Sequence, residues 1–181
     1  MAKAVQIKNI VRKTLKHIVG SNFSDESLPI STCLKAIFWQ KILRINGSVP
    51  WPVHPSTQVK CYKNICRGTR FPGLSPRCHL DARNGIELGQ NVWIGPNVSI
   101  ISMNHDVLDY NSYVRAEPIR IGNDCWVGAG AIILPEVELG DHTVVAAGAV
   151  VTKSFSDGDQ IIGGCPARVL KKIGPYEAGF Q

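Results

Sequence analysis

One histidine of this chain lies in a setting where its chemistry could be used. His105 stands between Asn104 and Asp106 near the start of a polar stretch, 102–118, that also carries tyrosine, arginine and glutamate side chains. An imidazole changes charge near neutral pH and can remove a proton from a hydroxyl group. Long polar excursions from regular structure are usually functional loops. His105 is therefore a candidate general base, and the other four histidines have no comparable context.

A second group of residues, nearer the carboxyl end, combines small side chains with hydrogen-bond donors and positive charge. Small residues let a ligand approach the backbone closely, and threonine, lysine and arginine donate hydrogen bonds to phosphate. The candidates are Ala129, Gly130, Ala147, Gly148, Thr152, Lys153, Arg168 and Lys171. The alternative is that the glycines and alanines serve tight turns and that Lys171 is a solvated charge.

The composition indicates one domain, or a compact core with an appendage, rich in short strands. The 181 residues include 20 Lys plus Arg and 14 Asp plus Glu, which gives a formal net charge of +6. This charge is spread along the chain and is compatible with phosphate on a small ligand, a membrane surface or nucleic acid. With 17 glycines and 11 prolines, a helical bundle is disfavoured and frequent turns are expected.

The six cysteines carry no recognisable motif. No C-x-x-C pair occurs among them, which argues against zinc-ribbon and thioredoxin-type sites. No signal-peptide pattern opens the chain, so free thiols and a cytoplasmic location are expected. The longest apolar stretch, from Leu34 to Ile45, is too short and too charged for a membrane-spanning helix.

Aliphatic residues recur every six positions from Ile86 onward. Two registers contain Leu88, Ile94 and Ile100, and then Ile121, Val127, Ile133, Leu139, Val145 and Val151. A glycine often follows the aliphatic residue directly, and a second small or branched residue lies four places after it. We predict that each unit turns at its small residue, points two side chains inward and stacks on its neighbours. A weaker upstream pattern places the start of this solenoid near residue 50.

The first 45 or so residues have a helical period instead. Ile10, Val11, Leu15 and Val19 share one face, whereas Arg12, Lys13 and Lys16 occupy the other, and Ser31–Arg44 forms a second apolar helix. These helices are expected to pack on the main domain or a neighbouring subunit, with weak contact to an anionic membrane surface as the alternative. We predict an N-terminal helical segment (1–49), a repeat domain (50–173) with a loop at 102–118, and a C-terminal tail (174–181).

Five motifs in the repeat domain are specific. They are I-G-P-N-V at 94–98, N-H-D at 104–106, I-G-N-D-C-W-V-G-A-G-A at 121–131, A-A-G-A-V-V-T-K at 146–153 and G-C-P-A-R at 164–168. With them, residues 50–173 resemble the hexapeptide-repeat acyltransferases, in particular the maltose, galactoside and capsular-polysaccharide O-acetyltransferases. The resemblance implies a mainly β fold, a left-handed parallel β-helix with three hexapeptides per coil. It also implies a homotrimer whose active sites lie between subunits.

The same resemblance implies the chemistry. Acetyl-CoA would be the co-substrate, no metal would be needed, and a sugar or surface-polysaccharide precursor would accept the acetyl group. His105 matches the family's catalytic histidine, and the second group above matches its coenzyme positions. The expected substrate-binding residues are Asp81, Asn84, Asn104, Asp106 and Trp126. For Asp106 a turn carboxylate, and for Trp126 a structural role, are the alternatives.

Four other functions stay open at this point. A serine-type O-acetyltransferase would use the same fold, but its usual D-R-H-P histidine context is absent. A non-catalytic hexapeptide scaffold would not bind coenzyme A. A zinc hydratase resembling the γ-type carbonic anhydrases needs three converging histidines, and the five here are scattered. A thiol acyl carrier would need a base that the sequence does not place beside Cys165, while Cys125 is expected in the core.

Overall fold

The computed structural model describes residues 2–68 and 71–178. The chain forms two compact units, one ending at Pro55 and the other beginning at Ser56. Residues 50–55, which the sequence pattern assigned to the repeat domain, cluster with the first unit. Within the described residues, no helix has the length and apolar character needed to span a bilayer.

The first unit is helical, which confirms the predicted N-terminal helical segment. Its elements are helix α1 (Ala2–Val19), a 3-10 turn (Ser21–Ser24), helix α2 (Ile30–Ile37) and a π-helical turn (Phe38–Ile42). The Arg12 side chain, expected on a solvated polar face, is only half-exposed and donates hydrogen bonds to the carbonyls of Ser24, Asp25 and Leu28. One guanidinium thereby ties α1 to the segment that leads into α2.

A buried glutamine organises the end of this unit. Gln40 is 1% exposed, and its Nε2 donates to the carbonyls of Asn46, Val49 and Trp51 at 3.2, 3.3 and 3.0 Å. Its Oε1 accepts a hydrogen bond from the Val53 amide at 2.9 Å. A buried amide is costly unless it is hydrogen-bonded, and here both of its ends are. The backbone of this segment is thereby fixed, with the apolar side chains of Val49, Trp51 and Val53 in the core.

The second unit is a parallel β-helix with three sheets. Its strands are β1 (Gln58–Lys60), β2 (Ile65–Cys66), β3 (His79–Asp81), β4 (Ile86–Leu88), β5 (Trp93–Ile94), β6 (Ser99–Ile101), β7 (Ile119–Ile121), β8 (Trp126–Val127), β9 (Ile132–Ile133), β10 (Glu138–Leu139), β11 (Thr143–Val145), β12 (Val150–Val151), β13 (Gln160–Gly164) and β14 (Ala167–Lys172). The first sheet has the order β1-β3-β6-β9-β12, the second β2-β4-β7-β10, and the third β5-β8-β11-β13-β14. Among the strands in 2–68 and 71–178, only β14 is antiparallel to its neighbour, and it closes the third sheet.

The strand register explains the six-residue period. Trp126 pairs with Val144, and Ile132 pairs with Val150, so one coil contains 18 residues, or three hexapeptides. Between β4 and β7 the step is longer, because residue 86 pairs with residue 119 and the coil includes the polar loop 102–118. The prediction of a stacked, mainly β solenoid is confirmed.

Both inward registers form the core, with two exceptions at one end. Seven of the nine aliphatic positions are buried, as are the second inward positions Val92, Val98, Cys125, Ala131, Val137, Thr143 and Ala149. The exceptions are Leu88 and Ile94, which are half-exposed. Ile94 lies in the edge strand β5, and β2 ends at Cys66 and therefore offers no partner to Leu88. Their partial exposure reflects the open end of the stack.

The glycine after each aliphatic residue serves stacking and not turning, which corrects the prediction. A Cβ on Gly128 would lie 2.7 Å from the Ala147 nitrogen and the Val145 oxygen in the next coil. The chain turns elsewhere, at residues with positive φ that also recur every six positions. These are Asn91, Asn97, Asp124, Gly130, Glu136, His142 and Gly148. Asparagine and aspartate tolerate this left-handed conformation better than most residues do, and glycine adopts it freely.

Candidate active site

The polar loop 102–118 is fastened at its neck by one asparagine. Asn84 follows β3, and its Nδ2 donates to the carbonyls of Ser102 and Val114 at 2.9 and 3.0 Å. The backbone amide of Asn84 donates to the Ser102 hydroxyl at 2.9 Å, and the backbone amide of Val114 donates to the Asn104 carbonyl at 3.0 Å. Both ends of the loop are thus tied to the corner of the coil below.

The tip of the loop is ordered by two aspartates. The Asp106 amide donates to the Ser112 carbonyl, and Asp106 Oδ1 accepts a hydrogen bond from the Leu108 amide at 2.8 Å. Asp109 accepts hydrogen bonds from the Ser112 hydroxyl at 2.6 Å and from the backbone amide of Asn111 at 3.0 Å. These bonds, the first more than the second, lower the pKa of the Asp109 carboxyl. The Asp106 carboxylate therefore shapes a turn, the alternative named from the sequence.

The tautomer of His105 follows from its hydrogen bond. Its Nδ1 lies 2.6 Å from the backbone carbonyl oxygen of Tyr110. A carbonyl can only accept a hydrogen bond, so the proton of the neutral ring must be on Nδ1. Nε2 then carries the lone pair that a general base needs, and the side chain is exposed.

The imidazole is also the first member of a row of side chains. The ring of Tyr113 lies 4.4 Å from the His105 ring, centroid to centroid, at an interplanar angle of 39°. The guanidinium carbon of Arg83 lies 4.5 Å from the Tyr113 centroid. Tyr113 therefore joins the imidazole to a cation that belongs to the corner after β3.

Asp81 anchors that cation. Its carboxylate receives hydrogen bonds from Arg83 Nε and Nη2 at 2.9 and 2.8 Å, and Lys60 Nζ lies 3.8 Å away. The residue is 1% exposed. Burial opposes its ionisation, but the hydrogen bonds and charges of Arg83 and Lys60 outweigh burial and hold the pKa of Asp81 below its ordinary value. The Asp81 carboxylate, which the sequence predicted would bind the acceptor, is hydrogen-bonded to Arg83 instead.

A cleft of about 280 Å³ opens beside His105. It is lined by Asn104, His105, Asp106, Val107, Val114, Ala116, Pro135 and Glu136. Pro135 and Glu136 lie at the corner between β9 and β10, one coil after the neck. Three residues expected from the sequence, Asn104, His105 and Asp106, meet in this cleft.

Two coenzyme candidates lie at the same corner, one coil further on. Val151 pairs with Ile133, and the Ser154 hydroxyl donates to the Glu136 carbonyl at 3.4 Å. Thr152 and Lys153, between Val151 and Ser154, are both exposed. They follow the end of β12, just as the cleft residues follow the end of β9.

The small coenzyme candidates form a separate group. The Gly148 amide donates to the Ala129 carbonyl at 2.9 Å, so that 129–130 and 147–148 stack in consecutive coils. A Cβ on Gly148 would meet no atom within 4 Å, which leaves open space beside this corner. Arg168 and Lys171 lie nearby on β14, paired with Gly163 and Ile161. Residues 129–130 and 147–148 precede β9 and β12, whereas the cleft lies beyond the ends of those strands.

Trp126 lies on neither corner. It is 57% exposed on the third sheet and pairs with Trp93, which is 52% exposed. Sequence reasoning missed the walls of the cleft and the row formed by Tyr113 and Arg83. The types of these residues do not indicate a shared site, because they come from different coils and only the strand register brings those coils together. Across the described residues, no three side chains of metal-ligand type gather at one place.

Stacked hexapeptide coils with an inserted loop that carries a histidine are typical of one class of transferases. Similarity to known proteins leads to the same class. The family model "Bacterial transferase hexapeptide (six repeats)" matches residues 118–153. The galactoside O-acetyltransferase of Escherichia coli (strain K12) is 37% identical over 176 residues, which cover 96% of this chain and 83% of that protein. The chain spans only 64% of the length of another relative, which is 47% identical over 124 residues.

Solved structures give the same result. A galactoside acetyltransferase in complex with coenzyme A has a TM-score of 0.63 at 26% identity, covering 96% of this chain and 84% of that one. A hexapeptide-repeat acetyltransferase of Vibrio cholerae, complexed with acetyl coenzyme A, has a TM-score of 0.59 at 27% identity and 68% coverage of both chains. The chain belongs to the hexapeptide-repeat O-acetyltransferase family, whose repeats indicate a left-handed β-helix. The resemblance seen in the motifs is confirmed.

Proposed function

We propose that this protein transfers an acetyl group from acetyl-CoA to a hydroxyl of a sugar or saccharide acceptor, and that His105 is the general base. The observation that carries the proposal is the Nδ1 hydrogen bond of His105 to the Tyr110 carbonyl, which leaves Nε2 unprotonated on an exposed side chain. The names of the relatives, a galactoside O-acetyltransferase and an acetyl-CoA complex among them, support the donor and the acceptor class.

The reaction follows from this tautomer. Nε2 takes the proton of the acceptor hydroxyl as its oxygen attacks the thioester carbonyl carbon. The tetrahedral intermediate collapses, the carbon–sulfur bond breaks, and the imidazolium returns the proton to the leaving thiolate. The ester and free CoA are the products, and no acyl-enzyme is formed. Asp106 serves this step indirectly, because its carboxylate holds the turn that precedes Tyr110.

The coenzyme would lie along the small-residue corner. Ala129, Gly130, Ala147 and Gly148 leave room for the pantetheine arm, and Arg168 and Lys171 beside them supply donors for its phosphates. Thr152 and Lys153, at the cleft corner, would supply donors to the coenzyme bound by the neighbouring copy. The cleft and this corner lie at opposite ends of the same strands. We therefore infer that the cleft of one copy faces the small-residue corner of the next, in the homotrimer that the resemblance to the family implies.

Replacement of His105 tests the base. His105→Ala should lower kcat by about 10²–10⁴-fold, the usual contribution of general-base catalysis. Release of CoA thiol would be followed with methyl β-galactoside, maltose and serine as acceptors, and calorimetry with acetyl-CoA should give unchanged affinity. His142→Ala is the matched control, since His142 Nδ1 is also hydrogen-bonded, to Asp159, but lies away from the loop. Retained turnover in His105→Ala would refute the role, and absence of acetyl-CoA binding by the wild type would favour the scaffold.

Mixed oligomers test the shared site. His105→Ala and Ala147→Trp should each be inactive, one at the cleft and one at the small-residue corner. If the site is shared, subunits of the two variants mixed by refolding should regain up to about a quarter of the wild-type activity, because about one interface in four joins two intact halves. No recovery would mean that each site is built within a single chain.

A further inference from the structure

We propose that Arg83 and Tyr113 are positioning residues for His105, an inference that rests on the proposed function. The sequence motifs assign neither residue a role. Their contact with the reaction is indirect, through the imidazole ring that Tyr113 covers.

The need for a second constraint comes from geometry. The hydrogen bond from Nδ1 to the Tyr110 carbonyl fixes one direction of the His105 ring, but the ring can still rotate about that bond. A contact on the ring face removes this rotation, and Tyr113 makes it at 4.4 Å. Both restraints together set the direction of the Nε2 lone pair. A base must be aligned as well as close, because a displacement of about 1 Å can cost about 10²-fold in rate.

Tyr113 cannot supply this constraint alone. It is 50% exposed on an excursion from the coil, where an unsupported aromatic side chain would sample several rotamers. The Arg83 guanidinium carbon lies 4.5 Å from its ring centroid, so the ring contacts both an imidazole and a cation. The backbone bridge between His105 and Tyr113 keeps the two rings on adjacent strands of the loop.

Arg83 is itself fixed by a buried group. Its Nε and Nη2 form a fork with the Asp81 carboxylate, whose side chain is 2% exposed. A fork of this kind orients the guanidinium plane, which a lysine could not do. The order of support runs from Asp81 in the coil, through Arg83 and Tyr113, to the base.

A double-mutant cycle tests this order. Tyr113→Leu should lower kcat about tenfold, and Arg83→Gln about threefold to fivefold, with KM for acetyl-CoA unchanged. If Arg83 acts through Tyr113, the double variant should be no slower than Tyr113→Leu, because the two effects share one path. Tyr113→Phe keeps the ring and should retain activity within about threefold.

Ring nitrogen NMR of His105 gives a readout that loss of stability would not move. The wild type should show a protonated Nδ1 and slow ring motion, and Tyr113→Leu should keep that tautomer but show faster ring motion in ring-nitrogen relaxation at the same melting temperature. Multiplicative losses in the cycle, a change confined to KM, or unchanged ring motion in Tyr113→Leu would overturn the inference. His105→Ala separates the two proposals: if it stays active the proposed function fails, and if it is inactive while the Arg83 and Tyr113 variants are normal, only the positioning role fails.

Discussion

Removal of the Asn84 side chain is expected to loosen the active-site loop without unfolding the coils. Asn84→Ala deletes the two hydrogen bonds to the Ser102 and Val114 carbonyls. Each such bond contributes about 1 kcal/mol, so the closed loop should lose about 2 kcal/mol relative to open forms. That difference raises the population of open forms about 30-fold. The coil core should be unaffected, because both lost hydrogen bonds end on backbone carbonyls at the neck of the loop.

Hydrogen exchange measured by mass spectrometry checks this prediction. Peptides covering 102–116 should exchange about 30-fold faster in Asn84→Ala, whereas peptides covering 119–133 should not change. Asn111→Ala is the matched control, since the side-chain amide of Asn111 donates to Asp109 at the loop tip and not to the neck carbonyls. The expected kinetic result is a lower kcat with coenzyme affinity intact.

The result also separates two roles for Asn84. A substrate-binding residue, as the sequence suggested, would raise KM for the acceptor and leave loop exchange at the wild-type rate. A neck residue would accelerate exchange even in the absence of acceptor. Unchanged exchange in Asn84→Ala would therefore refute the reasoning from the hydrogen bonds.

Three further predictions concern the β-helix. The pKa of Asp81 is held below its ordinary value near 3.8, so its ionised form stabilises the fold above that value. This contribution is lost as the pH falls through the lowered pKa. Urea unfolding should therefore show Asp81→Asn less stable than the wild type by about 2 kcal/mol at pH 7, and the difference should narrow below about pH 4. Gly128→Ala should cost about 2 kcal/mol or more of unfolding free energy, since its Cβ would meet backbone atoms at 2.7 Å, while Gly174→Ala, with no atom within 4 Å, should be neutral. Burial raises the pKa of Cys125 to about 11, so roughly one Cys125 thiol in a thousand is ionised at pH 8. Mass spectrometry after maleimide treatment should therefore show modification of the three exposed cysteines, and of Cys125 only when urea is added.

The repeat itself could be read from the sequence because each coil is a local pattern. Six-residue spacing of aliphatic side chains gives the inward positions directly, and the coil of three hexapeptides follows from the family. The spacing does not distinguish a glycine that turns from one that packs. Gly128 and Gly130 are two residues apart, yet the first is needed for a close approach of coils and the second for a positive φ.

The supports of the site could not be predicted in the same way. Arg83 and Tyr113 are thirty positions apart, and neither belongs to a motif. They meet because β3 pairs with β6, with Asp81 opposite Ile101, which puts the corner after β3 against the start of the loop. That register depends on how many residues each early coil contains, and these coils are irregular: residue 58 pairs with residue 79, a longer step than the 18 of later coils.

A β-helix presents flat sheets and tight corners, so it has no enclosed site of its own, and its catalytic group must be carried by a segment that leaves the coil. Such a segment is only as rigid as the contacts at its base. Here those contacts come from one short corner, where Asp81 is buried, Arg83 is bonded to it, and Asn84 closes the loop neck. The corner precedes the loop by almost a full coil in sequence, but it lies directly beneath it in space. Substitutions in residues 81–84 should therefore alter kcat while leaving the small-residue corner, and with it the affinity for acetyl-CoA, unchanged.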